Sequence, residues 1–158
     1  MVDVVNKATR SRMMSGIRAK NTYPEKFLRK GLHALGFRYR LHAKNIPGKP
    51  DVVLPKYKAL IEIYGCFWHG HGCRYCKTPS TNTLFWKNKI IENQRRDKRN
   101  LGRQMEAGWR CLVVWECASR MAQRSSNTLD TISLAAQWLA GNGDTAIIDE
   151  QGLCERPV

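Results

Sequence analysis

Acidic residues are scarce in this chain: 13 Asp and Glu stand against 27 Lys and Arg, a formal charge of +14 over 158 residues. The basic residues recur along the whole length instead of forming one tail. Such a balance suits a polyanionic partner, because neutralising phosphates releases counterions, and nucleic acid is the default expectation. Long hydrophobic runs are also missing. No stretch approaches the roughly 18 apolar residues of a membrane span, and Met1 to Lys7 lacks the charged-then-apolar layout of a signal peptide. No helical pattern shows an unbroken apolar face that would lie on a lipid surface. We therefore expect a cytoplasmic protein with no membrane partner. Internal repeats and low-complexity segments are absent as well, so the length suits one compact domain with a genuine core.

Cysteine is not scarce, but its six positions do not read as a disulfide framework in a reducing compartment. Cys111 lies inside an apolar run and reads as core, and the Cys73-Arg74-Tyr75-Cys76 spacing lacks the strand-to-helix setting of a redox motif. The segment Gly65-Cys66-Phe67-Trp68-His69-Gly70-His71-Gly72-Cys73 is different in kind, packing two thiols, two imidazoles and two adjacent large aromatics together. Zinc prefers tetrahedral sulfur and nitrogen ligands. Cys66, His71 and Cys73 supply three, and Cys117 is the candidate fourth. The same loop would present His69 and an aromatic pair, Phe67 and Trp68.

Around this segment the chain reads as an α/β domain. Lys7 to Lys20 is a basic stretch with few core-forming residues, an arm or short helix for a partner surface; Met13 and Met14 within it are either core filler or an apolar wedge between base pairs. Thr22-Tyr23-Pro24-Glu25 has the form of a capping box, and Phe27, Leu28, Leu32 and Leu35 recur at helical spacing up to Gly36. Phe37 to His42, Val52 to Leu54 and Ala59 to Tyr64 read as strands, the last running into the cysteine–histidine loop. A long helix is expected from Thr83 to Ala107, a strong strand over Trp109 to Trp115 and a last helix over Thr128 to Ala140, with the tail beyond Gly141 peripheral. Asp97 is the one acid within Arg95-Arg96-Asp97-Lys98-Arg99, and either belongs to a solvated face or orients a histidine.

Pro50-Asp51, followed after ten residues by Glu62 on a buried strand, outlines a two-carboxylate magnesium site. Glu62 is alternatively a satisfied buried acid, and Tyr64 stands where a lysine would strengthen the pattern.

Pro50-Asp51, Gly65-Cys66-Phe67-Trp68-His69-x-His71-x-Cys73, Asp97 and Trp115-Glu116-Cys117, together with the opening Lys7-Ala8-Thr9-Arg10-Ser11, closely resemble the very short patch repair (Vsr) mismatch endonucleases over roughly residues 3 to 150. The resemblance implies a restriction-endonuclease-like fold, a mixed central sheet flanked by helices, in which residues 1–20 form a DNA-contacting arm and residues 21–158 the endonuclease domain. It implies nicking of duplex DNA beside the thymine of a T·G mismatch. We expect a monomer, with mismatch-repair proteins as further candidate partners.

Carried over by position, Asp51 would bind Mg²⁺, His69 would be general base or acid, Asp97 would orient it, and Glu25 would sit near the metal waters. Cys66, His71, Cys73 and Cys117 would hold a structural zinc. Phe67, Trp68 and Trp86 would enter DNA from the major groove and Met14 from the minor groove. Ile63 and Tyr64 depart from the family pattern of Thr and His. Ile63 can still offer Mg²⁺ its main-chain carbonyl, whereas the Tyr64 phenol can bond phosphate without an imidazolium's charge. Glu62 and Tyr64 share the strand face opposite Ile63, so Glu62 is the alternative second metal ligand. Two other readings are a zinc-stabilised nucleic-acid-binding module without catalysis and a restriction-type nuclease that cuts matched duplex.

Overall fold

The computed structural model describes residues 5–124 and 131–155. Its centre is a mixed sheet of six strands in sequence order: β1 (Arg40–Leu41), β2 (Val52–Leu54), β3 (Ala59–Tyr64), β4 (Arg110–Trp115), β5 (Thr145–Asp149) and β6 (Gly152–Glu155). β3, β4 and β5 run parallel, and the outer pairings are antiparallel. The parallel strands are near-continuous apolar runs because helices cover both of their faces.

On one face Val52, Leu54, Ile61, Leu112, Val114, Ala146 and Ile148 meet Leu28 and Leu32 of α2 (Tyr23–Ala34), Ala118 of α4 (Glu116–Arg124), and Leu134, Ala135, Trp138 and Leu139 of α5 (Thr131–Ala140). On the other, Val53, Leu60, Tyr64, Cys111 and Val113 meet Leu101 and Met105 of α3 (Thr83–Glu106). The N-terminal α1 (Lys7–Ser15) is capped by the Asn6 side chain and buries no residue.

Three differences from the sequence expectations are informative. The tail beyond Gly141 is part of the core: β5 pairs with β4, and Ala146 and Ile148 are fully buried. It carries only a short Thr-Ala-Ile-Ile-Asp pattern, whose worth depends on the neighbouring strand. Only Arg40–Leu41 of the expected Phe37–His42 strand is paired, because β2 is itself three residues long and offers no longer edge. Directly after β4 the chain turns into α4, which lacked a separate signal. The expected helix start at Thr128 lies outside the described residues. Leu35 points outward beyond α2, whereas Leu28 and Leu32 of the same periodic set are buried.

Candidate active site and metal centre

Cys66 lies two residues beyond β3 and Cys117 two residues beyond β4, at the carboxyl ends of neighbouring parallel strands. That is where α/β sheets concentrate function. The loop after Cys66 returns His71 and Cys73 to the same place, and one ligand atom from each of Cys66, His71, Cys73 and Cys117 lies within 4.8 Å of the others. The three cysteines are buried. The separation of His71 Nδ1 from Cys117 Sγ, 3.7 Å, agrees with the roughly 3.6 Å expected between sulfur and nitrogen ligands on one tetrahedral ion. The cluster therefore fits a metal. Cys66 is pushed up and Cys117 down from the ordinary thiol range, chiefly by their mutual hydrogen bond.

The loop between Cys66 and His71 is moulded on α3. Asn93 Nδ2 donates to the Trp68 carbonyl at 2.8 Å and Gln94 Nε2 to that of His69 at 3.2 Å. Gly70 adopts φ +67°, and a Cβ there would come within 2.6 Å of Ile90 and Gln94 side-chain atoms. Glycine is thus required by both backbone and space. One turn further along α3, Asp97 Oδ2 meets His69 Nδ1. A carboxylate there accepts the Nδ1 proton and leaves Nε2 with the lone pair. The His69 ring lies flat on Tyr64, centroids 4.2 Å apart and planes 3° apart.

Asp51 enters from the turn before β2. Its Oδ2 accepts the Ile63 amide proton at 2.8 Å, so the acid is tied to the residue whose carbonyl was expected to share its metal. Glu62 is buried, and its Oε1 accepts from Gln104 Nε2 at 2.8 Å. The same Gln104 nitrogen donates to the Pro47 carbonyl at 2.7 Å, joining α3 both to β3 and to the turn before Asp51.

The expected capping box does not close, since Thr22 makes no side-chain cap bond, and Glu25 turns to other partners. Its Oε2 accepts from the Asn21 main-chain N–H and its Oε1 from the Thr22 hydroxyl, while His42 stands 3.8 Å from both Glu25 Oε2 and Asp51 Oδ1. Burial pushes Asp51 up to about 6, against the opposing Ile63 amide bond, with Glu25 adding to the rise. Glu62 is pushed up to about 8, again mainly by burial. Tyr64 is also pushed up by burial, and keeps its proton.

Glu25, Asp51, Glu62, Tyr64, His69 and Asp97 line one cavity of about 620 Å³. Beside it lies an aromatic cluster: Phe67 meets Trp68 and Trp86 at centroid distances of 5.1 and 5.3 Å, and Phe85 meets Trp86 at 5.2 Å. Phe67, Trp68 and Trp86 are half-buried and Phe85 is exposed. Met14 is half-buried on α1, next to an exposed Met13.

The profile of the DNA mismatch endonuclease Vsr family matches residues 2–75. Over 153 residues, 97% of each chain, the protein is 42% identical to the DNA mismatch endonuclease Vsr of Escherichia coli strain K12. The chain belongs to the Vsr DNA mismatch endonuclease family. Among other Vsr-like relatives, the type II nicking enzyme V.XorIIP of Xanthomonas oryzae pv. oryzae is 44% identical over 74% of this chain and 86% of its own. The type II nicking enzyme V.NmeAIP of Neisseria meningitidis serogroup A is 45% identical over 74% and 84%.

Within this Vsr chain, sequence reasoning missed His42, which stands beside Glu25 and Asp51, and Gln104, which donates to Glu62; it also did not single out Arg18, Lys49 and Arg96, the cations that line the cavity. Gln104 was discoverable, since it follows Asp97 by seven residues and so shares its helix face. His42 had no local signal. It adopts φ +47°, and only the pairing of β1 with β2 brings it to Asp51.

Proposed function

We propose that this Vsr family member nicks one strand of duplex DNA beside the thymine of a T·G mismatch, as arises from deaminated 5-methylcytosine, by Mg²⁺-dependent phosphodiester hydrolysis. The observation that carries this reading is the convergence of Asp51, His69 and Asp97 on one cavity bordered by cations and an aromatic cluster. Mg²⁺, when bound, supplies an activated water and neutralises charge on the phosphate. Asp51 holds the cation, and Ile63, locked to it through the backbone, is the candidate carbonyl ligand. Glu62 faces Gln104 and is the alternative ligand. Glu25 anchors metal waters through its carboxylate.

His69 accepts or returns a proton at Nε2, while Asp97 fixes its tautomer and Tyr64 backs its ring. Tyr64 thus serves the imidazole's position as well as the DNA. Arg18, Lys49 and Arg96 supply the phosphate-facing charge that a phenol cannot. Cys66, His71, Cys73 and Cys117 hold a structural zinc, with all four positions of the ion filled by protein. Phe67, Trp68 and Trp86 enter the stack from the major groove and Met14 from the minor groove. A wobble pair yields to such wedges at lower cost than a Watson–Crick pair.

The arm, residues 1–20, contacts DNA through its cations. Residues 21–158 are the endonuclease domain, restriction-endonuclease-like in fold and monomeric on its substrate. Nicking of oligonucleotide duplexes identical except for a central T·G, T·A or C·G pair, with and without Mg²⁺, tests the reading. Nicking is expected only for T·G with Mg²⁺. Equal cutting of T·A would point to a restriction-type nuclease, and a gel shift without nicking to a binding module.

A further inference from the structure

The segment after α5 reaches the metal centre from outside. β5 pairs in parallel with β4 at Val114↔Ile148, so Asp149 arrives at the same sheet end as Cys66 and Cys117. There His71 is held on three sides. Its face lies on Trp115, centroids 4.3 Å apart. Its Nδ1 points into the cysteine cluster, 3.7 Å from Cys117 Sγ, and its Nε2 stands 3.5 Å from Asp149 Oδ2. The other oxygen of that carboxylate, Oδ1, accepts the Gln151 amide proton at 2.8 Å, so the turn itself fixes the direction of the acid.

We propose that the turn joining β5 to β6 is an outer latch on the metal centre, with Asp149 the positioning residue that holds His71 as an Nδ1 ligand. The proposal rests on the zinc reading above. A carboxylate on the non-ligating nitrogen selects one tautomer, fixes the ring and raises the basicity of the ligating nitrogen. Phe67, Trp68 and His69 lie between Cys66 and His71 in sequence. The latch therefore steadies, at one remove, the loop that bears the aromatic wedge and the proton-transfer group.

The test is zinc content by mass spectrometry and zinc release to a chromogenic chelator, for the wild-type protein, Asp149→Ala and Asp149→Asn. Outer-sphere partners of this type are worth roughly 10- to 100-fold in metal affinity. Asp149→Ala should weaken zinc binding by that factor. Asp149→Asn keeps an acceptor without the charge and should fall between Asp149→Ala and wild type; it carries the test if the alanine variant does not fold. Cobalt(II) loading should retain thiolate-to-metal absorption in Asp149→Asn, showing that the inner ligands persist. Wild-type zinc release in both variants would overturn the latch alone. A wild-type protein that purifies and refolds without zinc would overturn the zinc reading and the latch with it.

Discussion

The cysteine–histidine cluster and the carboxylate cavity are joined through Trp115, which lies face-on to His71 and edge-on to Tyr64, yet they hold their polar groups by opposite means. In the cluster the four ligand atoms crowd together and the cysteines are sealed from solvent. Four protein atoms there would fill the positions of a tetrahedral ion. In the cavity, Glu25, Asp51 and Glu62 come from three separate elements and border open volume. Burial presses Asp51 and Glu62 toward their neutral forms. A closed shell suits a structural ion and an open one a catalytic ion. Neighbouring sites at one sheet end can thus differ in purpose because one spends its ligands on itself and the other leaves room for water and substrate.

This contrast makes the two sites separable by mutation. The largest effect is expected for Asp51→Ala, on the order of 10³-fold or more in nicking rate, given the several kcal/mol that metal stabilisation of a phosphoryl transition state is worth. Binding of a T·G duplex by gel shift should survive, and unimpaired cleavage would sink the mechanism. His69→Ala should slow single-turnover nicking by about 10² to 10⁴, the usual range for a proton-transfer group, again with binding retained. Cys73→Ala should behave in the opposite way, with zinc lost from the purified protein and both DNA binding and thermal midpoint reduced together, because metal binding by such clusters is folding free energy. A metal-free Cys73→Ala with a wild-type melting curve would break the comparison from the other side.

Trp68→Ala should weaken T·G duplex binding by about 1 to 3 kcal/mol, the value of one base–aromatic stack. The single-turnover rate at saturating protein should change less.

The smallest effect concerns pH. Glu62 is raised from 4.5 to about 8, so between these values the folded protein holds a proton that the unfolded chain releases. Stability from this residue is therefore present below the lower value and lost as pH rises toward the upper one. Glu62→Gln should flatten the melting temperature against pH across that window in magnesium-free buffer. An unchanged slope would show that Glu62 is ionised in its pocket. Asp51, raised to about 6, should make Mg²⁺ binding weaken as pH falls through that value.

How much was legible followed from how local the constraint was. Cys66, His71 and Cys73 fall within one loop, and their chemistry could be read from spacing alone. β3 and β4 were legible as apolar runs, and α2 and α3 as helices with caps or periodic faces. Asp97 was legible only as an odd acid among cations. Its partner, 28 residues away, was supplied by family resemblance and then met in space. Glu62 was legible as a buried acid and Gln104 as a neighbour of Asp97 on its helix face, but nothing in the sequence paired the two across 42 residues. β5 was missed because a short strand in a parallel sheet draws its stability from the strand beside it, and nothing in Thr-Ala-Ile-Ile-Asp names that neighbour.

The amino-acid order settles the thiol and imidazole spacing, the basic composition, the main elements and the fact that His69 sits between Cys66 and His71, since each depends on side-chain chemistry or on neighbours a few residues apart. Tertiary structure decides which acids share a cavity, that Tyr64 supports an imidazole, that His42 joins Glu25 to Asp51, and that a tail which looks dispensable closes over His71. These are distances between groups far apart along the chain, set by the packing of α3 and the parallel strands and not written in any single segment.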